Sequence, residues 1–492
     1  MLLRDLLCVF DTPDLGVAIV SVSGPVDRPV TGVHHDSREV GEDGLFVALS
    51  GANFDGHRFV PALPHAACVV VERPIDAPDG VTVVEVQGAR VAMAHLAAAF
   101  HGNPGTELPI IGVTGTNGKT TTCALLEAAL SSCGDSVGVV GTTGHRLNGA
   151  SFPFVTAGGA GHTTPESPHL QGLLAQMRDA GATAITMEAS SIGLAAHRVD
   201  AVPFKVAVFT NLSRDHLDFH GDMASYLSAK ARLFHDLLAE DGVAILPLGI
   251  DESTSLIPIG CRVLTTGFEG ADISVTHFES TASGTTADVR TPVGSGTLRL
   301  PLAGRHNLWN ALGAIGAGVA LGRSLDALFE GLEKLSGVDG RLEAVPNTRG
   351  ITVLVDYAHT PDALEQVLIS LREVATARIL TVFGCGGDRD KGKRPEMGAA
   401  ASAGSDRVFV TSDNPRTEPP PSIVSDILVG VSGEYEVHVE RREAIYAAIS
   451  QARSGDIVLI AGKGHETYQE VDGQRHPFDD RVVAQAALEA SR

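Results

Sequence analysis

The chain is a succession of short apolar runs, each closed by a polar cluster, with amphipathic stretches between them. Between residues 105 and 337, the runs at 110–113, 136–140, 184–187, 206–210 and 243–246 read as buried strands. Stretches near 168–180, 223–239 and 306–321 carry helical spacing, and this alternation predicts a parallel sheet with crossover helices. Residues 272–302 break the rhythm. Polar and apolar positions alternate there, as in Thr297-Leu298-Arg299-Leu300, which predicts a small antiparallel meander appended to the sheet. The first 104 residues predict a smaller α/β module, with strands at 45–49, 68–71 and 81–86 and an alanine-rich helix over 89–100. Beyond 338 the α/β rhythm returns, with strands at 351–355, 379–383, 407–411 and 457–460 and helices at 361–372, 440–453 and 479–490. The pattern predicts an α/β protein of three domains, 1–104, 105–337 and 338–492, because 492 residues are too many for one core. His101 to Gly105 reads as a linker, and Pro419-Pro420-Pro421 as a loop.

The run at 110–113 is followed by Thr114-Gly115-Thr116-Asn117-Gly118-Lys119-Thr120-Thr121, and a helix is expected from Thr120 to Leu130. Strand, glycine turn, Lys-Thr and helix N-terminus in that order make a phosphate cradle. Amides and helix dipole face the anion, Lys119 reaches the outer phosphates and the Thr120 hydroxyl serves Mg²⁺. The strict motif places a glycine five residues before Gly118, where this chain has Val113; its glycines stand at Gly112 and Gly115. The plainer reading is a glycine turn capping a helix.

Ligands of α/β sheets bind at the carboxyl ends of strands, and polar clusters stand where the other runs stop. These are Glu188 to Ser191, Thr210 to Asp218, Asp356 to Asp362, Gly384 to Arg394 and Gly462 to Glu466. One such residue is ordinarily a solvated loop side chain; five clusters behind one glycine loop imply a shared site. Glu188 and His216 are candidate Mg²⁺ ligands, although Mg²⁺ prefers oxygen. Upstream, His35-Asp36-Ser37-Arg38 precedes the first predicted strand and on local grounds is a loop or an N-cap.

Composition narrows the partners. The formal charge is 37 − 59 = −22, which argues against nucleic acid or an anionic membrane while leaving room for a locally cationic phosphate site. Six scattered cysteines show no metal spacing and read as reduced thiols. The apolar start, 1–10, is broken by Arg4 and Asp5, and no apolar run approaches the ~18 residues of a spanning helix. A cytoplasmic protein without membrane insertion, acting as a monomer, is the expectation.

Taken together the blocks resemble the Mur ligases, most closely their MurE branch. The likeness runs through Asp36-Ser37-Arg38, Gly115 to Thr120, Thr163-Thr164-Pro165, Asn211 to Asp218, Arg305-His306-Asn307, Asp356 to Pro361, Gly386 to Arg394, Asp413-Asn414-Pro415-Arg416 and Gly462 to Glu466. The glycine loop without the earlier glycine is that family's own form. The resemblance implies a UDP-binding N-terminal domain, a central ATPase and a Rossmann-like C-terminal domain for the incoming amino acid. It implies that ATP phosphorylates the D-glutamate side chain of UDP-MurNAc-L-Ala-D-Glu to an acyl phosphate, which an amine then attacks. It places Lys119, Glu188, His216 and Lys230 in catalysis. Thr120, Glu188, His216 and Lys230, the last as a carbamate, would surround Mg²⁺. Asn307, Arg341 and Asp356 join residues 115–121 at the nucleotide. Ser37, Thr163, Thr164, Ser190 and Arg198 contact the UDP-muramyl dipeptide. Ile192 stands where many relatives carry histidine, which puts one polar contact in doubt.

Asp413 to Arg416 resembles the motif of members that add meso-diaminopimelate, as against L-lysine. Arg416 can grip the second carboxylate of diaminopimelate through two parallel hydrogen bonds, with Asn414 beside it, whereas lysine offers a cation there. Arg389, Gly462 and Glu466 complete the implied amino-acid site. Asn414 to Thr417 as a mere turn is the plainer reading. The L-lysine-adding enzyme and a folylpolyglutamate or cyanophycin-type ligase are the alternatives. A nucleotide-switch or inactive binding protein lacks support, because no Asn-Lys-x-Asp motif occurs and the lysine, glutamate and histidine positions are intact.

Overall fold

The computed structural model describes residues 1–12, 15–51, 55–154, 163–281 and 284–490. Three sheets follow one another along the chain. The first has the order Ala18–Ser23, Thr82–Gln87, Cys68–Val71, Leu45–Val47 and Val33–His34, parallel except for the first strand. Helix Ala89–Phe100 covers one face through Met93 and Leu96. Two strands therefore precede His35, where the sequence pattern placed the loop ahead of the first strand. Ala18–Ser23 is an edge strand exposed along its whole length, so it carries no alternation to read.

The central sheet has eleven strands. From Ile273–Thr281 across Arg262–Gly267, Leu238–Pro247, Phe204–Phe209, Ile110–Thr114 and Ala184–Glu188 to Val137–Gly141, every neighbouring pair is parallel. Antiparallel strands extend both edges, and the predicted meander is Ile273–Thr281, Gly284–Thr291 and Gly294–Leu300. Helices Lys119–Ser132 and Arg305–Ala320 bury one face of the sheet, Ser167–Asp179 and Met223–His235 the other. The helix expected over 223–239 stops at His235 because the chain must turn at Asp236 for Leu238 to pair with Phe204.

The third sheet has the order Glu343–Ala344, Thr352–Asp356, Ile457–Ala461, Ile379–Phe383, Arg407–Val410 and Tyr435–Val437, parallel except at its first strand. Helices Pro361–Val374, Lys393–Gly404 and Pro420–Leu428 pack on one face, and Arg441–Gln451 with Asp480–Ala490 on the other. Pro420 thus opens a helix, contrary to the expected loop; proline suits the first turn, where its missing N–H has no partner to lose. The last two helices are joined by the fully buried pair Arg441–Asp480 at 2.6 Å, and removing either partner from such a pair costs roughly 3–5 kcal/mol. Among the described residues no helix is long and apolar enough to cross a membrane.

Candidate active site

Register builds the site. Val113 pairs with both Glu188 and Val208, and Thr114 with Phe209, so three strands end at one level and their following loops meet. Val113 is still strand, which is why no glycine is needed there; the turn starts at Gly115. Gly115 has φ 148° and a Cβ there would run into the Thr210 hydroxyl, while Gly118 has φ 87° and faces the Asn310 amide. These two positions require glycine. Asn211 anchors the loop by accepting Thr116 N–H on its carbonyl and Asn117 N–H on its side chain, each at 3.0 Å.

Two lysines converge inside this turn. Lys119 Nζ donates to the carbonyls of Gly115 and Thr116 at 2.9 and 2.7 Å. Lys230 Nζ, 1% exposed, donates to the same Gly115 oxygen at 2.8 Å and lies 4.1 Å from the centre of the Tyr226 ring. Burial pushes both ammonium groups down from their ordinary pKa, Lys119 adding to the effect on Lys230. Neither forms an ion pair with a carboxylate among the described residues.

Thr120 Oγ1 donates to Glu188 Oε1 at 3.0 Å, and Arg341 Nη2 reaches Thr120 Oγ1 at 3.2 Å. Thr142 holds both Glu188 oxygens, its N–H on Oε1 at 2.9 Å and its hydroxyl on Oε2 at 3.1 Å. His216 adopts φ 53° and places Nε2 3.4 Å from Asp215; burial lowers its pKa. Burial opposes ionisation of Asp215, yet Lys393, His216 and His359 hold its carboxyl well below the usual range. Lys119, Glu188, His216, Lys230, Arg341 and His359 all line one cavity of about 140 Å³. Beside it a cavity of about 360 Å³ is walled by Asn117, Gly118, Thr121, Asn307, Trp309, Arg341, Asp356 and Gln366. Asp356 accepts the N–H groups of Leu342 and Ala358 at 2.7 Å each, while its burial raises its pKa.

No group of three His, Cys, Asp or Glu side chains able to hold a metal occurs among the described residues. Thr120 and Glu188 nevertheless offer adjacent oxygens, which suits Mg²⁺, an ion that keeps several waters and takes one or two protein carboxylates beside phosphate oxygens. The donor set fits the ion.

Thr163 Oγ1 meets the Thr142 hydroxyl oxygen at 3.0 Å. Thr164 donates to the Glu188 carbonyl at 2.8 Å and meets Ser190 Oγ at 3.0 Å; Arg198 donates to the Thr164 carbonyl and pairs with Glu166 at 2.8 Å. Thr163 and Ser190 line the cavity from one side, and Thr164 and Arg198 are tied to them from behind. Ser37 lies apart, in the first sheet's loop beyond Val33–His34. Ile192 sits in the short helix Ser191–Ala195, which Ser190 caps by accepting Gly193 N–H.

Across the cleft, Asn414 is held at both ends of its amide. Its Nδ2 donates to Glu466 at 2.8 Å, and its Oδ1 accepts Lys463 Nζ at 3.0 Å and Glu470 N–H at 2.9 Å. Asn414 thus positions Glu466, a different task from the direct polar contact expected beside Arg416. Gly462 has φ 118°, and a Cβ there would meet the buried Asp413 Oδ2, which has no hydrogen-bond partner among the described residues. Arg416 donates from Nη1 to the Gly387 carbonyl at 2.8 Å, and Arg389 to the Asp388 carbonyl at 3.0 Å. Both flank Gly386, where a Cβ would lie 2.9 Å from Arg416 Nη1 and 3.9 Å from Arg389 Cγ.

Residues 113–318 match the Mur ligase middle domain, and 340–464 the Mur ligase glutamate ligase domain. A Geobacter sulfurreducens protein named UDP-N-acetylmuramoyl-L-alanyl-D-glutamate–2,6-diaminopimelate ligase is 44% identical, covering 100% of this chain and 99% of its own. A Geobacter metallireducens protein of the same name is 45% identical over 99% and 98%. The chain belongs to the Mur ligase family. A solved structure of a UDP-N-acetylmuramoyl-L-alanyl-D-glutamate–2,6-diaminopimelate ligase superposes with a TM-score of 0.69 at 34% identity, covering 100% of this chain and 99% of that one.

Within this Mur ligase, several side chains at the cavity carry no sequence signal of their own. Thr142 is one hydroxyl after a glycine, yet it fixes Glu188. Tyr226 forms the floor under Lys230, and its hydroxyl meets Thr116 at 3.1 Å. Lys393 and His359 reach Asp215 from the third sheet at 3.5 and 3.9 Å. Helix periodicity places Tyr226 and Lys230 on one face, four residues apart, but only the fold brings that face under the glycine loop.

Proposed function

We propose that this chain joins meso-2,6-diaminopimelate to the D-glutamate side chain of UDP-MurNAc-L-Ala-D-Glu, driven by ATP, as a step of peptidoglycan precursor synthesis. The full-length likeness to ligases of that name carries the reading, and the site explains it. Residues 105–337 form the ATPase, 1–104 take the UDP moiety through Ser37, and 338–492 take the amino acid.

A carboxylate oxygen attacks the γ-phosphorus, ADP leaves and an acyl phosphate results; the amine then attacks the acyl carbon, phosphate leaves and the amine proton is lost. The first step brings anions together, so converging cations are its main requirement. Lys119 and Arg341 supply them, and the ammonium of Lys119, lacking a carboxylate partner, is available to the phosphates. Thr120 and Glu188, with His216 at the cavity wall, would hold Mg²⁺, which would supply further positive charge to the phosphates. Asn307 and Asp356 flank the cavity suited to the nucleoside. Thr163, Thr164, Ser190 and Arg198 orient the muramyl peptide so that its carboxylate meets the γ-phosphate.

Lys230 is read as carbamylated. Burial beside Lys119 favours its neutral amine, which adds CO₂ with loss of one proton, and the resulting anion then lies next to the Lys119 cation. For the second step Arg416 and Arg389 hold the distal carboxylate of diaminopimelate, and Glu466, fixed by Asn414 and Lys463, its distal ammonium. Asp413 and Gly462 shape that pocket. The protein is read as cytoplasmic.

Labelling the D-glutamate side-chain carboxylate with oxygen-18 tests the chemistry. One label per turnover should appear in the released phosphate. Unlabelled phosphate during full product formation would rule out the acyl phosphate.

A further inference from the structure

The loop 386–394 of the third sheet touches the central sheet through a small set of charges. Arg214 extends from the segment after Phe204–Phe209 and engages all three guanidinium nitrogens. Nε and Nη2 donate to Asp390 at 3.0 and 3.2 Å, and Nη1 to Glu396 at 3.1 Å. Asp390 is 10% exposed and also accepts the Gly392 N–H at 2.8 Å, closing the turn that leads into helix Lys393–Gly404. Gly392 lies so close that a Cβ would collide with Arg214 Nη2. The guanidinium therefore lies directly on the loop backbone.

Each side of this contact is tied to a different part of the site. On the central side, Ser213 accepts the Thr116 hydroxyl on its carbonyl, and Asn211 anchors Thr116 and Asn117. On the other side, the Gly387 N–H donates to the Asn414 carbonyl at 2.9 Å and Arg416 donates back to Gly387. Through the chain segments 213–214 and 387–390 these contacts link the glycine loop to Arg416, and the link crosses between the two sheets at Arg214 and Asp390.

We propose that Arg214 and Asp390 are a positioning pair that couples the phosphate loop to the amino-acid site by docking loop 386–394 onto the central sheet. The proposal rests on the functional reading given above. The pair acts through others: neither residue lines the reaction cavity. The loop has ties besides the Asp390 turn, since Thr417 donates to Asp388 at 2.9 Å and Arg394 pairs with Glu418 at 2.8 Å. A bidentate arginine–carboxylate contact between partly buried groups has the directional strength that isolated surface pairs lack.

Steady-state kinetics of Arg214→Ala, Asp390→Asn and the double variant, with melting temperatures, test the pair. The KM for diaminopimelate should rise about tenfold in either single variant, the KM for ATP should stay within about twofold, and the double variant should be no worse than the worse single one. Melting temperatures should match the wild type. Small-angle scattering with a non-hydrolysable ATP analogue and both other substrates should show compaction of the wild type and less in the variants. An unchanged KM for diaminopimelate, or effects that multiply in the double variant, would overturn the pair. Failure of the wild type itself to use diaminopimelate would instead overturn the functional reading.

Discussion

Thr142 shows how much of the site depends on a side chain with no chemistry of its own. Its N–H and hydroxyl fix both oxygens of Glu188, where Thr120 reaches Oε1 alone, and so restrain the carboxylate in a cavity that must admit a hydrated ion. Thr142→Val keeps the shape and removes the hydroxyl. The apparent affinity for Mg²⁺ should fall about tenfold, the usual effect of losing a group that orients a metal ligand, with little change in melting temperature. Metal titration of activity against tryptophan-independent melting curves measures this, and an unchanged Mg²⁺ dependence would contradict it. At this scale the sequence exposed the glycine loop, Lys119 and Glu188, since each stands at a strand end in a recognisable order. Lys230 reads as a helix-surface residue from its neighbours alone, and only the resemblance singled it out. The hold of Asn414 on Glu466 was not legible from its neighbours, because which of its hydrogen bonds are filled depends on Glu470 and Lys463, far along the chain.

Among the elements, helix Lys393–Gly404 does the most to hold the amino-acid loops together. Its first turn buries Lys393 and Arg394, and Arg394 takes Glu418 from the next loop and Asp426 from the following helix. The hydrogen bond from Arg394 lowers the Glu418 carboxyl to about 2, against an ordinary 4.5. A carboxyl depressed in the folded state stabilises it above the unfolded pKa and loses that contribution as pH falls through the folded one. The stability gap between wild type and Glu418→Gln should therefore be full at neutral pH and shrink between pH 4.5 and about 2. Urea melts across that range decide it; a gap independent of pH would contradict the assignment. Element legibility follows burial. Cys68–Val71, Ile379–Phe383 and Ala89–Phe100 emerge at the ends their apolar patterns mark. Ala18–Ser23 does not, because an edge strand exposed along its length shows no inside and outside. Helix Met223–His235 was overrun because Leu237 and Leu238 continue its apolar character while belonging to the next strand's packing.

Across the whole molecule, an excess of negative charge coexists with a locally cationic phosphate loop, because the fold brings Lys119 and Arg341 together from distant positions in the chain. The three sheets follow one another along the chain. On the third sheet, Arg416 and Arg389 beside Gly386, with Glu466 held by Asn414 and Lys463, set cations and an anion at separate places, which under the proposed function suits an amino acid with a second carboxylate and a second ammonium.

The central claim is that this site selects diaminopimelate. Its most direct test is phosphate release with ATP, Mg²⁺ and UDP-MurNAc-L-Ala-D-Glu, comparing meso-diaminopimelate with L-lysine as acceptor. A site that pairs a guanidinium with the second carboxylate should favour diaminopimelate in kcat/KM by a factor on the order of 10⁴. Comparable values for the two acceptors, or a preference for lysine, would contradict the account.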